Sequence, residues 1–206
     1  MPFFPPDGTE LVEALGNGSL FDVALVRQDG RLLICKRLVP RALHAVEGRA
    51  AMVREAKALD LARHPAIPAI VRVGTDERGP FLLETRAYGA SITELVEGWY
   101  GSGKEAPPLL VRHVAHAAVA ALAEIQELAD DEGPLALVHG DLGPDHVLLG
   151  PLGQARFIDF GAARFRGMQS DLATRERGTL PFVAPEVARG EAPPSAATDV
   201  LSLIHI

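Results

Sequence analysis

Residues 137–161 constrain this chain more than any other stretch. They read Leu-Val-His-Gly-Asp-Leu-Gly-Pro-Asp-His-Val-Leu-Leu, a Gly-Pro-Leu-Gly turn at 150–153, and a second apolar run ending in Phe-Ile-Asp-Phe-Gly. Val147 to Leu149 and Ala155 to Ile158 are short apolar pieces on either side of that turn, the pattern of a hairpin. A hairpin brings its outer ends together, so Asp141 and Asp159 arrive at the same end. One carboxylate so placed orients a hydroxyl or takes its proton, and the other holds a divalent cation against phosphate oxygens.

With 206 residues and 48% hydrophobic content, the chain is long enough to bury a core as one domain or as two small lobes. Its net charge of −7, without a Lys/Arg run, argues against a nucleic-acid or anionic-membrane surface. Cys35 is the only cysteine, which excludes a disulfide framework and a cysteine metal cluster and fits a reducing cytoplasm. The N-terminus lacks the basic-then-apolar pattern of a signal peptide. The tract Leu109 to Ile125 is broken by Arg112, His113, His116 and Glu124, so it is not expected to span a membrane. Arg far outnumbers Lys and Ala is abundant, a bias that hints at a high-GC bacterial genome.

Along the chain, residues 10–26 read as two strands around a turn containing Gly16 and Gly18, and Asp29-Gly30 marks a tight hairpin before a strand over 31–38. Lys36 sits inside that last apolar run, where a charge must find a partner or reach solvent; Cys35 points to the other face as a small core residue. A helix is expected over 46–62, with Met52, Ala56 and Leu59 on one stripe and Glu55 on or beside it; His64-Pro65 ends it. Ile67 to Val73 and Phe81 to Glu84 form another hairpin, 85–91 a connector, and 109–129 a core helix. His113 and His116 have no acidic or thiol partner placed with them and read as solvated or partly buried, not as metal ligands.

These pieces, in this order, resemble the protein kinases. Residues 137–149 are similar to the catalytic loop His-Arg-Asp-Leu-x-x-x-Asn, and Asp159-Phe160-Gly161 is identical to the magnesium-binding Asp-Phe-Gly, eighteen residues after Asp141. Gly16, Gly18 and Val23 fall in register with the phosphate-covering loop, with Phe21 in the third glycine's place. Lys36 matches the Lys of Val-Ala-Ile-Lys, and Glu55, nineteen residues on, matches its helix partner. Tyr88-Gly89-Ala90-Ser91-Ile92 resembles the segment after the kinase hinge. Counted from there, Glu84 stands where kinases carry an apolar gatekeeper, so either the register shifts by one or the back pocket is polar. Gly178 to Glu186 resembles Gly-Thr-x-x-Tyr-x-Ala-Pro-Glu, and Thr198 to Leu203 resembles the start of the central helix of the lower lobe. Gly140, Gly143 and His146 depart from the usual Arg, Lys and Asn.

The resemblance is to bacterial serine/threonine protein kinases of the eukaryotic-like type. It implies an α+β, two-lobed fold: residues 1–88 a nucleotide-binding lobe with an antiparallel sheet and one helix, residues 89–206 a mainly helical lobe that stops early. It implies ATP and Mg²⁺ or Mn²⁺ as cofactors, with a protein as substrate. Asp141 would orient the acceptor hydroxyl, Asp159 and His146 hold metal, Lys36 fixed by Glu55 hold the α- and β-phosphates, and Gly16, Gly18 and Val23 line the nucleotide. Thr179, Ala184, Pro185 and Glu186 would form the peptide-binding segment, and the acid matching Asp199 would brace the catalytic loop. With Gly140 in place of the Arg, phosphate on Ser170 or Thr174 loses its usual partner. The missing helices would leave Leu201, Leu203 and Ile204 uncovered and the chain marginal alone. Two other readings stay open: a nucleotide-binding pseudokinase, from Phe21, Gly143 and His146, and an aminoglycoside-type phosphotransferase, from His-Gly-Asp.

Overall fold

Short apolar strands separated by turn residues, with one helix among them, occupy residues 10–85, and the strands assemble into one antiparallel sheet. The computed structural model describes residues 3–18, 20–168 and 180–206. Strands β1 (Glu10–Asn17), β2 (Phe21–Gln28), β3 (Arg31–Leu38), β4 (Ile70–Asp76) and β5 (Gly79–Thr85) pair in the order β1-β2-β3-β5-β4. The β2–β3 connection works because Asp29 and Gly30 both adopt left-handed backbone (φ 48° and 75°), as a two-residue hairpin requires. Helix α1 (Val46–Leu61) lies against this sheet, burying Ala51, Met52, Glu55, Ala58 and Leu59. It ends at Leu61, one residue short of the expected span, with Ala62 as its C-cap. The strand expected from Ile67 starts only at Ile70, after Pro68, whose missing N–H cannot join a ladder.

After β5 the chain turns mainly helical. β6 (Ala90–Ser91) leads into α2 (Ile92–Gly101), whose start is fixed by a reciprocal cap: the Glu94 N–H donates to the Ser91 hydroxyl and the Ser91 N–H to the Glu94 carboxylate. Helix α3 (Pro108–Gln126) follows, entered at a proline that fits the first helical turn. A two-residue pair, β7 (Ala129–Asp130) and β8 (Gly133–Pro134), precedes the 137–161 stretch. β9 (Val147–Leu149) and β10 (Ala155–Phe157) form the expected hairpin and, with β6, a three-stranded sheet. A 3₁₀ turn at Leu180–Phe182, α4 (Pro185–Ala188) and α5 (Ala196–Ile204) complete the described chain.

By length and composition α3 does qualify as a membrane span, contrary to the expectation that its charges exclude it. Here its Ala118, Leu122 and Ile125 are buried in a core shared with Leu59, Leu82, Leu142, Phe157 and Phe160. That cluster runs from α1 and the large sheet into the helical part and packs beneath the 137–161 stretch. Phe157 and Phe160 are each 1% exposed, so truncating either to Ala would cost about 3–5 kcal/mol. At the far end Leu203 packs partly on this core, while Ile204 is 73% exposed.

Candidate active site

Strand pairing puts several of the sequence-predicted residues on one rung. Gly16 pairs with Val23, and Val23 pairs with Lys36. The turn above them closes through the Gly18 N–H, which donates to the Phe21 carbonyl (2.7 Å). Phe21 does not open that turn as a third glycine would. Its ring is buried with Ala51 and Met52 of α1, anchoring the turn to the helix.

Lys36 and Glu55 are almost fully buried, and the Lys36 ammonium donates to Glu55 Oε1. The same oxygen accepts the Phe160 N–H (3.2 Å), so a single α1 carboxylate ties β3 to the Asp-Phe-Gly turn. Arg54, one residue before, donates from Nε to the Gly161 carbonyl (2.8 Å). Lys36 Nζ lies 4.0 Å from Asp159 Oδ1 and 3.7 Å from Glu84 Oε1. Burial pulls the Lys36 pKa down, but Glu55, Glu84 and Asp159 outweigh it, and the ammonium stays charged. Glu84 is 3% exposed and faces Lys36, so of the two possibilities for that position the polar back pocket holds. Burial pushes its carboxyl up to about 8, against the pull of Lys36.

Asp159 has left-handed backbone (φ 67°), a conformation a non-glycine residue holds only where its surroundings enforce it. Burial acts to raise its pKa, and Lys36, His146 and His139 outweigh that and keep it below the ordinary carboxylate range. His146 Nδ1 is 2.7 Å from the Asp141 carbonyl, which can only accept, so Nδ1 carries the proton. In the neutral ring Nε2 is then the nitrogen with the lone pair, and it lies 3.7 Å from Asp159 Oδ2.

The loop carrying Asp141 is held from below. Asp199 accepts the His139 N–H (2.6 Å) and the Gly140 N–H (3.0 Å); burial pushes its carboxyl up to about 6. His139 packs at a tilt of 53° on Phe160, with ring centroids 4.6 Å apart, and burial drives its pKa down to about 4. Its Nε2 donates to the Ile158 carbonyl (2.9 Å), and Nδ1 accepts the Asp141 N–H (3.3 Å). Gly140 has φ 81°, and a Cβ there would meet the Ala162 carbonyl oxygen at 2.4 Å, so this position excludes the family's Arg on backbone grounds.

Asp141 lines a crevice with Phe182, Val183, Ala184 and Asp199, which brings the Ala184-Pro185-Glu186 segment beside it. Ala184 is buried, Pro185 opens α4, and Glu186 lies in its first turn. Thr179, Ser170 and Thr174 lie outside the described residues. A chain of contacts therefore runs from Glu55 through Lys36, Asp159 and His146 to the backbone of Asp141.

A family model described as the protein kinase domain matches residues 9–205. The chain belongs to the protein kinase domain family. It is 26% identical, over 97% of its length, to a probable serine/threonine-protein kinase of Corynebacterium efficiens. It is 27% identical over 96% of its length to the serine/threonine-protein kinase PknB of Mycolicibacterium smegmatis. It is 31% identical over 88% to the DNA damage-responsive serine/threonine-protein kinase RqkA of Deinococcus radiodurans. It covers 30%, 31% and 26% of those proteins, less than a third of each. The domain is thus a eukaryotic-like kinase domain of the bacterial type, with the α+β architecture that the motifs imply, and the family uses ATP and a divalent metal.

Sequence reasoning missed three features of this kinase domain. Helix α2 carries an apolar stripe and the Ser91/Glu94 cap, a signal that was available. Neither Glu84 as a second carboxylate on Lys36 nor His139 as the neutral prop under Phe160 has a local signature, because each is defined by contacts far away in sequence.

Proposed function

We propose that this kinase domain transfers the γ-phosphoryl group of ATP to serine or threonine hydroxyls of proteins. The observation that carries the reading is the buried Lys36–Glu55 pair joined to the Phe160 N–H, with Asp159 4.0 Å from the same ammonium. Lys36 binds the α- and β-phosphates as a charged donor, and Glu55 keeps it extended into the cleft. Gly16 and Gly18 let backbone approach the phosphates, and Val23 lines the nucleotide. Asp141 orients the acceptor hydroxyl, which the segment around Ala184, Pro185 and Glu186 brings alongside; Thr179 belongs to the same segment by sequence.

The residues present fit a divalent cation. Asp159 offers a carboxylate and His146 a lone pair on Nε2, and His146 donates its other ring N–H to a backbone carbonyl, as metal-binding imidazoles do. Two protein ligands suit Mg²⁺ or Mn²⁺ held between protein and phosphates. Such an ion supplies neutralisation of phosphate charge. The nitrogen donor favours Mn²⁺ more than an Asn oxygen would.

The nucleotide-binding half is assigned to residues 1–88 and the substrate half to 89–206. The buried thiol of Cys35 suits a reducing cytoplasm. Incubating the purified chain with γ-labelled ATP, Mg²⁺ or Mn²⁺ and a generic protein substrate tests the reading: label on protein Ser or Thr is expected. Nucleotide binding without transfer would assign the domain to pseudokinases, and label only on a small hydroxylated acceptor would make it a small-molecule phosphotransferase.

A further inference from the structure

Lys36 is over-supplied with carboxylates. Its ammonium is bonded to Glu55 on α1 and faces Glu84 on β5 at 3.7 Å and Asp159, after β10, at 4.0 Å. The placement of Glu84 follows from the ladder: Lys36 pairs with Leu82, so Glu84 is its diagonal neighbour on the same sheet face. Glu55 accepts two donors on Oε1, although its Oε2 has no partner among the described residues, and Asp159 reaches solvent with 40% of its side chain exposed. Glu84 has neither. It is 3% exposed, and its Oε2 has no hydrogen-bond partner among the described residues. A buried carboxylate so poorly satisfied needs a reason to be kept at a position open to any apolar side chain.

We propose that Glu84 is a positioning residue for Lys36, a second carboxylate that competes with nucleotide phosphates for the ammonium and weakens their binding whenever it is ionised. The inference rests on the reading of Lys36 as the phosphate ligand. Ionised Glu84 draws Lys36 toward β5 and adds a negative charge beside the incoming phosphates. Protonated Glu84 leaves the ammonium to Glu55 and the nucleotide. The charged groups that face Glu84 among the described residues are Lys36, Glu55 and Asp159, and burial outweighs Lys36 to push its carboxyl up to about 8. The competition is therefore relieved at neutral pH and sets in above it. A unit charge within about 8 Å of a phosphate at an effective dielectric near 20 changes affinity on the order of tenfold or more.

The test measures binding of Mg²⁺-ADP and of adenosine, which has no phosphate, at pH 7 and pH 9, for wild type, Glu84→Gln and Lys36→Met. In wild type, ADP affinity is expected to fall on the order of tenfold between the two pH values. Glu84→Gln, isosteric and permanently neutral, should match wild type at pH 7 and keep that affinity at pH 9. Adenosine should bind alike in both proteins at both pH values. Equal loss of ADP affinity with pH in wild type and Glu84→Gln, while Lys36→Met still abolishes ADP binding, overturns the role of Glu84 and leaves the proposed function standing. Unchanged ADP binding in Lys36→Met removes the phosphate ligand itself, and both fall. Should Glu84→Gln fail to fold, ¹³C titration of the wild-type glutamate carboxyls decides: one resonance must titrate near pH 8 and shift on ADP binding, and its absence refutes the proposal.

Discussion

Replacing Lys36 by Met should destabilise the fold as well as silence the site. Glu55 is 0% exposed, so the substitution strands its carboxylate in the core without a cation, beside Glu84, whose carboxyl burial already pushes up to about 8. Breaking a buried pair from one side typically costs about 3–5 kcal/mol. The protein escapes part of this by protonating Glu55 in the folded state. From an unfolded-state pKa near 4.3 that escape costs about 1.4 kcal/mol per pH unit, so about 5 kcal/mol at pH 8 and about 2 at pH 6. The folded variant then binds a proton that the unfolded chain has released, and its stability must rise as pH falls between those values. Urea unfolding of wild type, Lys36→Met and the Lys36→Met, Glu55→Gln double variant at pH 8 and pH 6 reads this out. The single variant should lose about 3–5 kcal/mol at pH 8 and about 2 at pH 6, and the double variant should recover most of the loss at pH 8 without regaining nucleotide binding. A single variant as stable as wild type at pH 8, or a double variant no better than the single, would refute the charge argument.

Three further outcomes are expected. His146→Asn should move the Mg²⁺/Mn²⁺ activity ratio toward Mg²⁺, because an amide oxygen replaces Nε2 beside Asp159; an unchanged ratio would remove His146 from the metal site. Gly140→Ala should cost at least about 2 kcal/mol in thermal unfolding, since φ 81° is left-handed and the new Cβ would meet the Ala162 carbonyl at 2.4 Å; a neutral effect would contradict the loop geometry. The His139 pKa is held near 4 in the fold against about 6.5 when unfolded, so its contribution to stability is present above pH 6.5 and lost as pH falls toward 4. Against the non-titrating His139→Asn variant, the wild-type advantage should shrink by about 3 kcal/mol between pH 7 and pH 4 in denaturant unfolding. A constant gap would mean His139 is not buried neutral.

What the sequence makes legible here is whatever is encoded locally. Asp29-Gly30 specifies its turn by backbone preference, and the β9–β10 hairpin follows from two apolar runs and a glycine turn, so both fall where expected. The contacts of Lys36 with Glu55 and Asp159 are legible because the spacing of a family pattern stands in for distance. Lys36 reads in sequence as a phosphate ligand fixed by Glu55. Only its burial under three carboxylates reveals that it also holds the core. Gly140 reads as a missing arginine, whereas the structure makes it a steric requirement, a property of its distance to Ala162 that no spacing encodes. Phe21 reads as a defect in a glycine loop and proves to be a core residue, since its packing on Ala51 and Met52 depends on where α1 lies.

The central claim is that Asp141 works on a protein hydroxyl in a cleft where Lys36, Asp159 and His146 hold the nucleotide. Its most direct test is the single-turnover rate of label transfer from γ-labelled ATP to protein, followed by phosphoamino-acid analysis, for wild type and Asp141→Asn. The account predicts phosphoserine or phosphothreonine in wild type, with a rate that falls on the order of 10² to 10³ in the variant while nucleotide affinity stays within about twofold. Equal transfer rates in the two proteins, or no phosphoamino acid from a wild type that binds ATP, would contradict it.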